Sequence, residues 1–141
     1  MGFSLGCAPS EQSPVGFRLP EGDLVKGKEA FVKLNCGSCH TVAGETDLMG
    51  PPEDAAISVE LGGKVTRVKT YAHLVTSVIY PSHVMDPKWR AKYADVEGNS
   101  PMPDLTNVMT ARELIDIVSF LQPKYEVVMP EYRYMEGAYG R

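Results

Sequence analysis

Cysteine is scarce in this chain. Three occur among 141 residues, an odd number that cannot all pair with one another. Histidine is equally sparse at three, and there is one tryptophan. No run of about 18 apolar residues exists, which excludes a membrane-spanning helix. Positive charge is not in excess either: 14 Lys and Arg against 18 Asp and Glu leave a net charge of −4, so nothing suggests wholesale nucleic-acid binding. What the chain does hold is turn chemistry, with 13 glycines and 11 prolines, and 43% hydrophobic residues, enough to bury the core of one domain.

Two of the three cysteines stand together in Cys36-Gly37-Ser38-Cys39-His40. This is Cys-x-x-Cys-His, the pattern for covalent attachment of one c-type haem. Two thiols at this spacing reach the two vinyl groups on one edge of a porphyrin. The adjacent His40 then lies beneath the iron as its proximal ligand. Two other chemistries use Cys-x-x-Cys. A redox dithiol follows a strand in a βαβ unit, whereas this motif follows a helical pattern. Structural zinc wants four ligands, and Cys7, His73 and His83 supply no second Cys/His pair.

The chain divides into three parts: a Pro- and Ser-rich tether over residues 1–21, a domain over 22–123 and a Tyr-rich arm over 124–141. In the domain, Asp23 is a helix N-cap, and Leu24, Gly27, Phe31 and Leu34 form one helical face. Gly27 costs that helix about 1 kcal/mol relative to Ala, which close approach of another helix would offset. Alternation on both sides of Gly62-Gly63 predicts a β-hairpin over 57–69. Thr70 caps a helix over 71–80 that stops at Pro81. The stretch from Ser82 to Ser100 is a long loop with a short helix near Trp89 to Tyr93, of a length that points to a functional role. Thr110-Ala111-Arg112-Glu113 is a capping box opening a last helix. Leu114, Ile117, Val118 and Leu121 line its face with Phe120 flanking, and Pro123 ends it.

Met102 stands between Pro101 and Pro103. Proline fixes its own φ and restricts its predecessor, so this thioether is presented from a stiff segment. That setting makes Met102 the candidate second axial ligand over Met49, Met85 and Met109. His73 or His83 would give bis-histidine ligation instead.

Together these residues resemble a class I monohaem cytochrome c over about residues 22–123. The resemblance rests on Cys36 to His40, Gly27 and Phe31, Gly50-Pro51, the 71–81 helix, Met102-Pro103 and the last helix. It implies an all-α fold of about three to five helices around one covalent haem c, here with the β-hairpin inserted and the arm appended. It places Gly27 against Phe120, makes the Pro51 carbonyl the acceptor for the other ring N–H of His40, and makes His40 and Met102 the axial ligands. The function implied is one-electron transfer with no catalytic residue set. Electrons cross near the thioethers, through a small transient interface with a redox donor and a redox acceptor.

Alternative roles are a subunit of a larger, membrane-associated oxidoreductase complex, or a haem protein with an open sixth site for ligand binding or peroxidase-like chemistry. Lys64, Arg67 and Lys69, and Lys88, Arg90 and Lys92, form two basic clusters that would steer an acidic partner, or simply a solvated surface. Haem attachment after export implies a periplasmic location. The residues around Cys7 resemble the processing site of a bacterial lipoprotein. Acylation there would give the membrane contact, at about 0.8 kcal/mol per buried CH₂; the other reading of Cys7 is a free thiol.

Overall fold

The computed structural model describes residues 18–83 and 85–128. Cys7, most of the tether and the arm beyond Val128 lie outside the described residues. Among the described residues there are four α-helices: α1 (Leu24–Lys33), α2 (Tyr71–Ile79), α3 (Pro87–Tyr93) and α4 (Ala111–Leu121). Four strands of three residues accompany them: β1 (His40–Val42), β2 (Val59–Leu61), β3 (Gly63–Val65) and β4 (Tyr125–Val127). No described helix is long and apolar enough to cross a membrane.

Local chemistry explains where the helices begin. Asp23 Oδ1 accepts from the N–H groups of Val25 and Lys26, at 2.8 and 3.0 Å. Thr70 Oγ1 accepts from His73 N at 3.1 Å. At α4 the capping box is complete: Glu113 N donates to Thr110 Oγ1 at 3.2 Å and Thr110 N to Glu113 Oε2 at 2.8 Å. Asp86 opens α3 by accepting from Lys88 N, with Pro87 in the first turn, where its missing N–H costs nothing.

The frame of the molecule is the packing of α1 on α4. A Cβ on Gly27 would stand 2.6 Å from both the Asp116 carbonyl carbon and Phe120 Cβ, and closer still to the Asp116 carbonyl oxygen. The two backbones therefore touch at Gly27, with Phe120 against it as the resemblance implied. Phe31 and Phe120 meet edge to face at 6.1 Å and 66°. Asp116 is 3% exposed, and its Oδ1 accepts from Asp23 N at 2.9 Å, so one buried carboxylate ties the start of α1 to the middle of α4.

The α1 face is the one the spacing gave except at its start: Gly27 and Phe31 are buried and Leu34 packs on the core. Gly27, Ala30 and Phe31 are buried while Leu24 is 55% exposed, because Ala30 takes the inner position and Leu24 sits in the first turn beyond the crossing. Helix α4 is buried on two sides. Ile117, Phe120 and Leu121 pack with Ala30, Phe31 and Val42, and Val118 packs with Leu74 and Val75 of α2.

The expected hairpin is corrected. Residues on either side of Gly62 are extended but do not pair with each other. Strand β2 runs parallel to β1, with His40 opposite Val59, and β3 runs parallel to β4, with Gly63 opposite Tyr125. The edge of each strand is occupied by a distant segment, and Gly62-Gly63 carries the chain from one ladder to the other. The arm's first residues are therefore a strand of the domain and not a separate appendage.

Candidate haem site

The attachment motif follows α1 directly. After Leu34, Asn35 adopts a left-handed conformation at φ 57° and opens a single 3₁₀ turn over Cys36–Ser38. Cys39 N closes it onto the Cys36 carbonyl at 3.2 Å, and Ser38 Oγ donates to the Asn35 carbonyl at 2.8 Å. Two cysteines three positions apart are thus brought around one tight turn. Gly37 lies between them because a Cβ there would collide with the Met49 carbonyl oxygen, so the 44–52 loop seats against the turn. Met49 itself is 88% exposed.

Cys36 and Cys39 are free and half-buried. Burial pushes the Cys36 thiol above its ordinary pKa. A reactive dithiol shows the opposite shift, which disfavours the redox-dithiol reading. Among the described residues no group of three or more His, Cys, Asp or Glu side chains could hold a metal ion, so the zinc reading finds no ligand set.

His40 heads β1. Its Nδ1 lies 3.3 Å from the Val59 carbonyl oxygen. A carbonyl only accepts, so Nδ1 is the N–H donor and Nε2 keeps its lone pair for a metal. Burial holds the imidazole below its ordinary pKa, with the Val59 carbonyl opposing that shift. A neutral imidazole is the form that ligates. Here the structure corrects the assignment of Pro51. The parallel register places Val59 beside His40, so the acceptor is Val59, and Pro51 does not line the cavity described next.

Cys36, Cys39, His40 and Met102 all line one cavity of about 480 Å³, within the range of roughly 300–1,000 Å³ typical of cofactor sites. Phe31, Leu34, Ile117 and Leu121 bring the α1–α4 core to its wall, and Trp89 and Tyr93 bring α3. Met102 is half-buried, flanked in the lining by Pro101 and Pro103, and its N–H donates to Ser100 Oγ at 3.2 Å. The competing residues divide. Met49 is exposed and Met109 packs on the core, whereas Met85 lines the cavity. His73 also lines it, whereas His83 stacks on Tyr80 with ring centroids 5.4 Å apart.

The donor set fits a covalent haem. Two free thiols and an imidazole share an apolar cavity with a thioether held between prolines. Tyr125 and Val59 belong to the site as well, but the sequence carried no sign of either: a backbone carbonyl has no residue signature, and Tyr125 read as part of the arm. The basic cluster on α3 is partly committed internally. Arg90 donates to the carbonyls of Ser82 and Gly98, both at 2.8 Å, and so closes the 82–100 loop.

A small helical domain with a Cys-x-x-Cys-His turn opening onto an apolar, cofactor-sized cavity defines a protein that holds haem covalently. The Cytochrome c family model matches residues 24–123, and the chain belongs to that family. It carries a covalently attached c-type haem, and its function is haem-based electron transfer. Neither the curated proteins nor the solved structures give a match to the chain.

Proposed function

We propose that the protein is a one-electron carrier whose haem iron is held between His40 and Met102 and cycles without losing a ligand. The observation that carries this reading is the convergence of Cys36, Cys39, His40 and Met102 on one apolar cavity. The haem supplies reversible one-electron exchange between Fe(II) and Fe(III). The chain supplies the rest. Cys36 and Cys39 fix the porphyrin edge, and His40 is oriented through Nδ1 by Val59. The Pro101–Pro103 segment keeps the Met102 thioether in place. Thioether ligation and an apolar pocket both favour the reduced, less charged metal, which gives a relatively high potential.

Partners are a redox donor and a redox acceptor met through a transient contact, in the periplasm or an equivalent compartment, and acylation of Cys7 would tether the carrier there. Either basic cluster, on residues 64–69 or on residues 88–92, would steer an acidic partner, since Arg90 is held by two neutral carbonyls and keeps its charge. A second reading has an observation of its own: His73 shares the cavity, so bis-histidine ligation at a lower potential is its specific competitor. A spectroelectrochemical titration tests the proposal. A reversible one-electron wave that moves to lower potential in Met102→His supports it. A wave unchanged by that substitution but altered by His73→Gln rejects Met102 in favour of His73.

A further inference from the structure

One wall of the cavity lies past the part of the chain that the family model matches. That match ends at residue 123, and β4 begins at Tyr125. Tyr125 lines the cavity with Leu61, Gly62 and Val65, while Glu126 and Val127 on the same strand are exposed. Side chains alternate across a strand, so β4 turns Tyr125 inward and Glu126 outward. A single strand stands here between the cavity and solvent.

That strand is fixed more firmly than its length requires. The ladder sets Tyr125 opposite Gly63, and Val128 N extends it by donating to the Val65 carbonyl at 2.9 Å. Lys124, one residue before the strand, pairs with Glu45, which also pairs with Lys28 of α1 at 2.5 Å. Lys124 and Gly62 are in close contact: a Cβ on Gly62 would stand 2.8 Å from both the Lys124 Cβ and its carbonyl oxygen. The Tyr125 side chain packs with Leu74, Val75 and Val118. A two-stranded pairing is marginal alone, and here an ion pair and a core contact hold it in one place.

We infer that Tyr125 closes the haem cavity against water and thereby raises the reduction potential. This deepens the haem reading above and rests on it. Ferric haem carries one more positive charge than ferrous, and water at the porphyrin stabilises that charge. A ring in place of water favours the reduced metal. The hydroxyl is not the agent. Burial pushes it above its ordinary pKa, with the Gly62 backbone opposing, so it stays neutral and adds no charge. Gly62 beside it has no side chain to take over, and Lys124 blocks any Cβ there. One water needs only about 10–15 Å³ of free volume and a few polar partners. Cutting Tyr125 to Ala supplies the space, and Lys69 and the Gly62 backbone in the lining supply the partners.

The test uses the haem-loaded full chain and substitutions that change no charge. In Tyr125→Ala the redox equilibrium should shift about tenfold toward the ferric form, a fall of about 59 mV. Tyr125→Phe keeps the ring and should hold the wild-type potential. Val127→Ala, on the same strand but outside the cavity lining, should hold it too. Relaxation of water protons by the ferric protein reads the same wall. It should rise in Tyr125→Ala and stay level in Tyr125→Phe and Val127→Ala. If Tyr125→Ala does not fold, Tyr125→Leu is read in its place, with a smaller fall and a smaller rise. An unchanged potential in the variant read overturns the inference. So does an equal fall in Tyr125→Phe, which would make the hydroxyl the agent, or in Val127→Ala, which would trace the fall to the strand's stability. A fall without the rise in relaxation overturns water exclusion as its cause. In each of these cases the haem reading stands, whereas a wild-type chain that acquires no haem overturns both.

Discussion

Gly27→Ala tests the helix crossing that frames the site, and its sign separates two arguments. By helix propensity alone Ala should stabilise α1 by about 1 kcal/mol. The crossing argues the reverse. The added Cβ would stand 2.6 Å from the Asp116 carbonyl carbon and from Phe120 Cβ. Neither obstacle is the far end of a flexible side chain, so neither can rotate away, and α1 must move off α4. Overpacking of this kind costs about 1–3 kcal/mol, and the rigid neighbours put this case at the upper end, about 3 kcal/mol by the same range. Subtracting the propensity gain leaves a net loss of about 2 kcal/mol. For a domain of this size each kcal/mol moves the melting temperature by about 4–8 °C, so Tm should drop by about 8–16 °C. Thermal and denaturant unfolding of the haem-loaded protein are the assays. A Gly27→Ala protein as stable as wild type, or more so, would refute the close crossing.

Three further substitutions probe the same frame. Phe31→Ala removes a ring that is 2% exposed and lines the haem cavity; a loss of about 3–5 kcal/mol in chemical unfolding is expected. Thr110→Ala removes the acceptor for Glu113 N and should cost about 1 kcal/mol by the same measurement. Glu113 is drawn down from 4.5 to about 2, first by Lys33 and then by the Thr110 N–H and hydroxyl. Its folded pKa is depressed, so its contribution is present above the unfolded value near 4.5 and is lost as pH falls toward 2. Stability should therefore decline through that window, and less steeply in Glu113→Gln, which keeps the capping geometry without the charge; identical acid profiles for the two proteins would contradict this.

The parts of the structure written in local chemistry could be read from the sequence. Asp23, Thr70 and Thr110 cap helices where their types and spacings said they would, and the costly Gly27 pointed to a helix crossing. A short helix near Trp89 to Tyr93 was expected inside the long loop, and the structure starts it two residues earlier, at Pro87 behind the Asp86 cap, with Trp89 and Tyr93 stacked at 4.9 Å. What failed was long-range. Strands of three residues carry almost no periodic signal, and nothing in residues 57–69 reveals that their partners are the chain just after His40 and the chain just after Lys124. The misassigned Pro51 follows from that failure, because the carbonyl beside His40 is delivered by the β1–β2 register. Of the site itself, Cys36, Cys39 and His40 are legible because covalent attachment demands fixed types at fixed spacing. Met102 stands out through its flanking prolines, and it lines the same cavity as the motif. That His73 lines this cavity too is not legible, since only folding brings it there.

The most direct measurement is the absorption spectrum of the ferric haem-loaded protein, recorded for wild type, Met102→Ala and Met85→Ala. A thioether–iron charge-transfer band near the red end that is present in wild type, retained in Met85→Ala and lost in Met102→Ala is the predicted result. A wild-type spectrum without that band, or one whose band disappears with Met85 and persists without Met102, would contradict it.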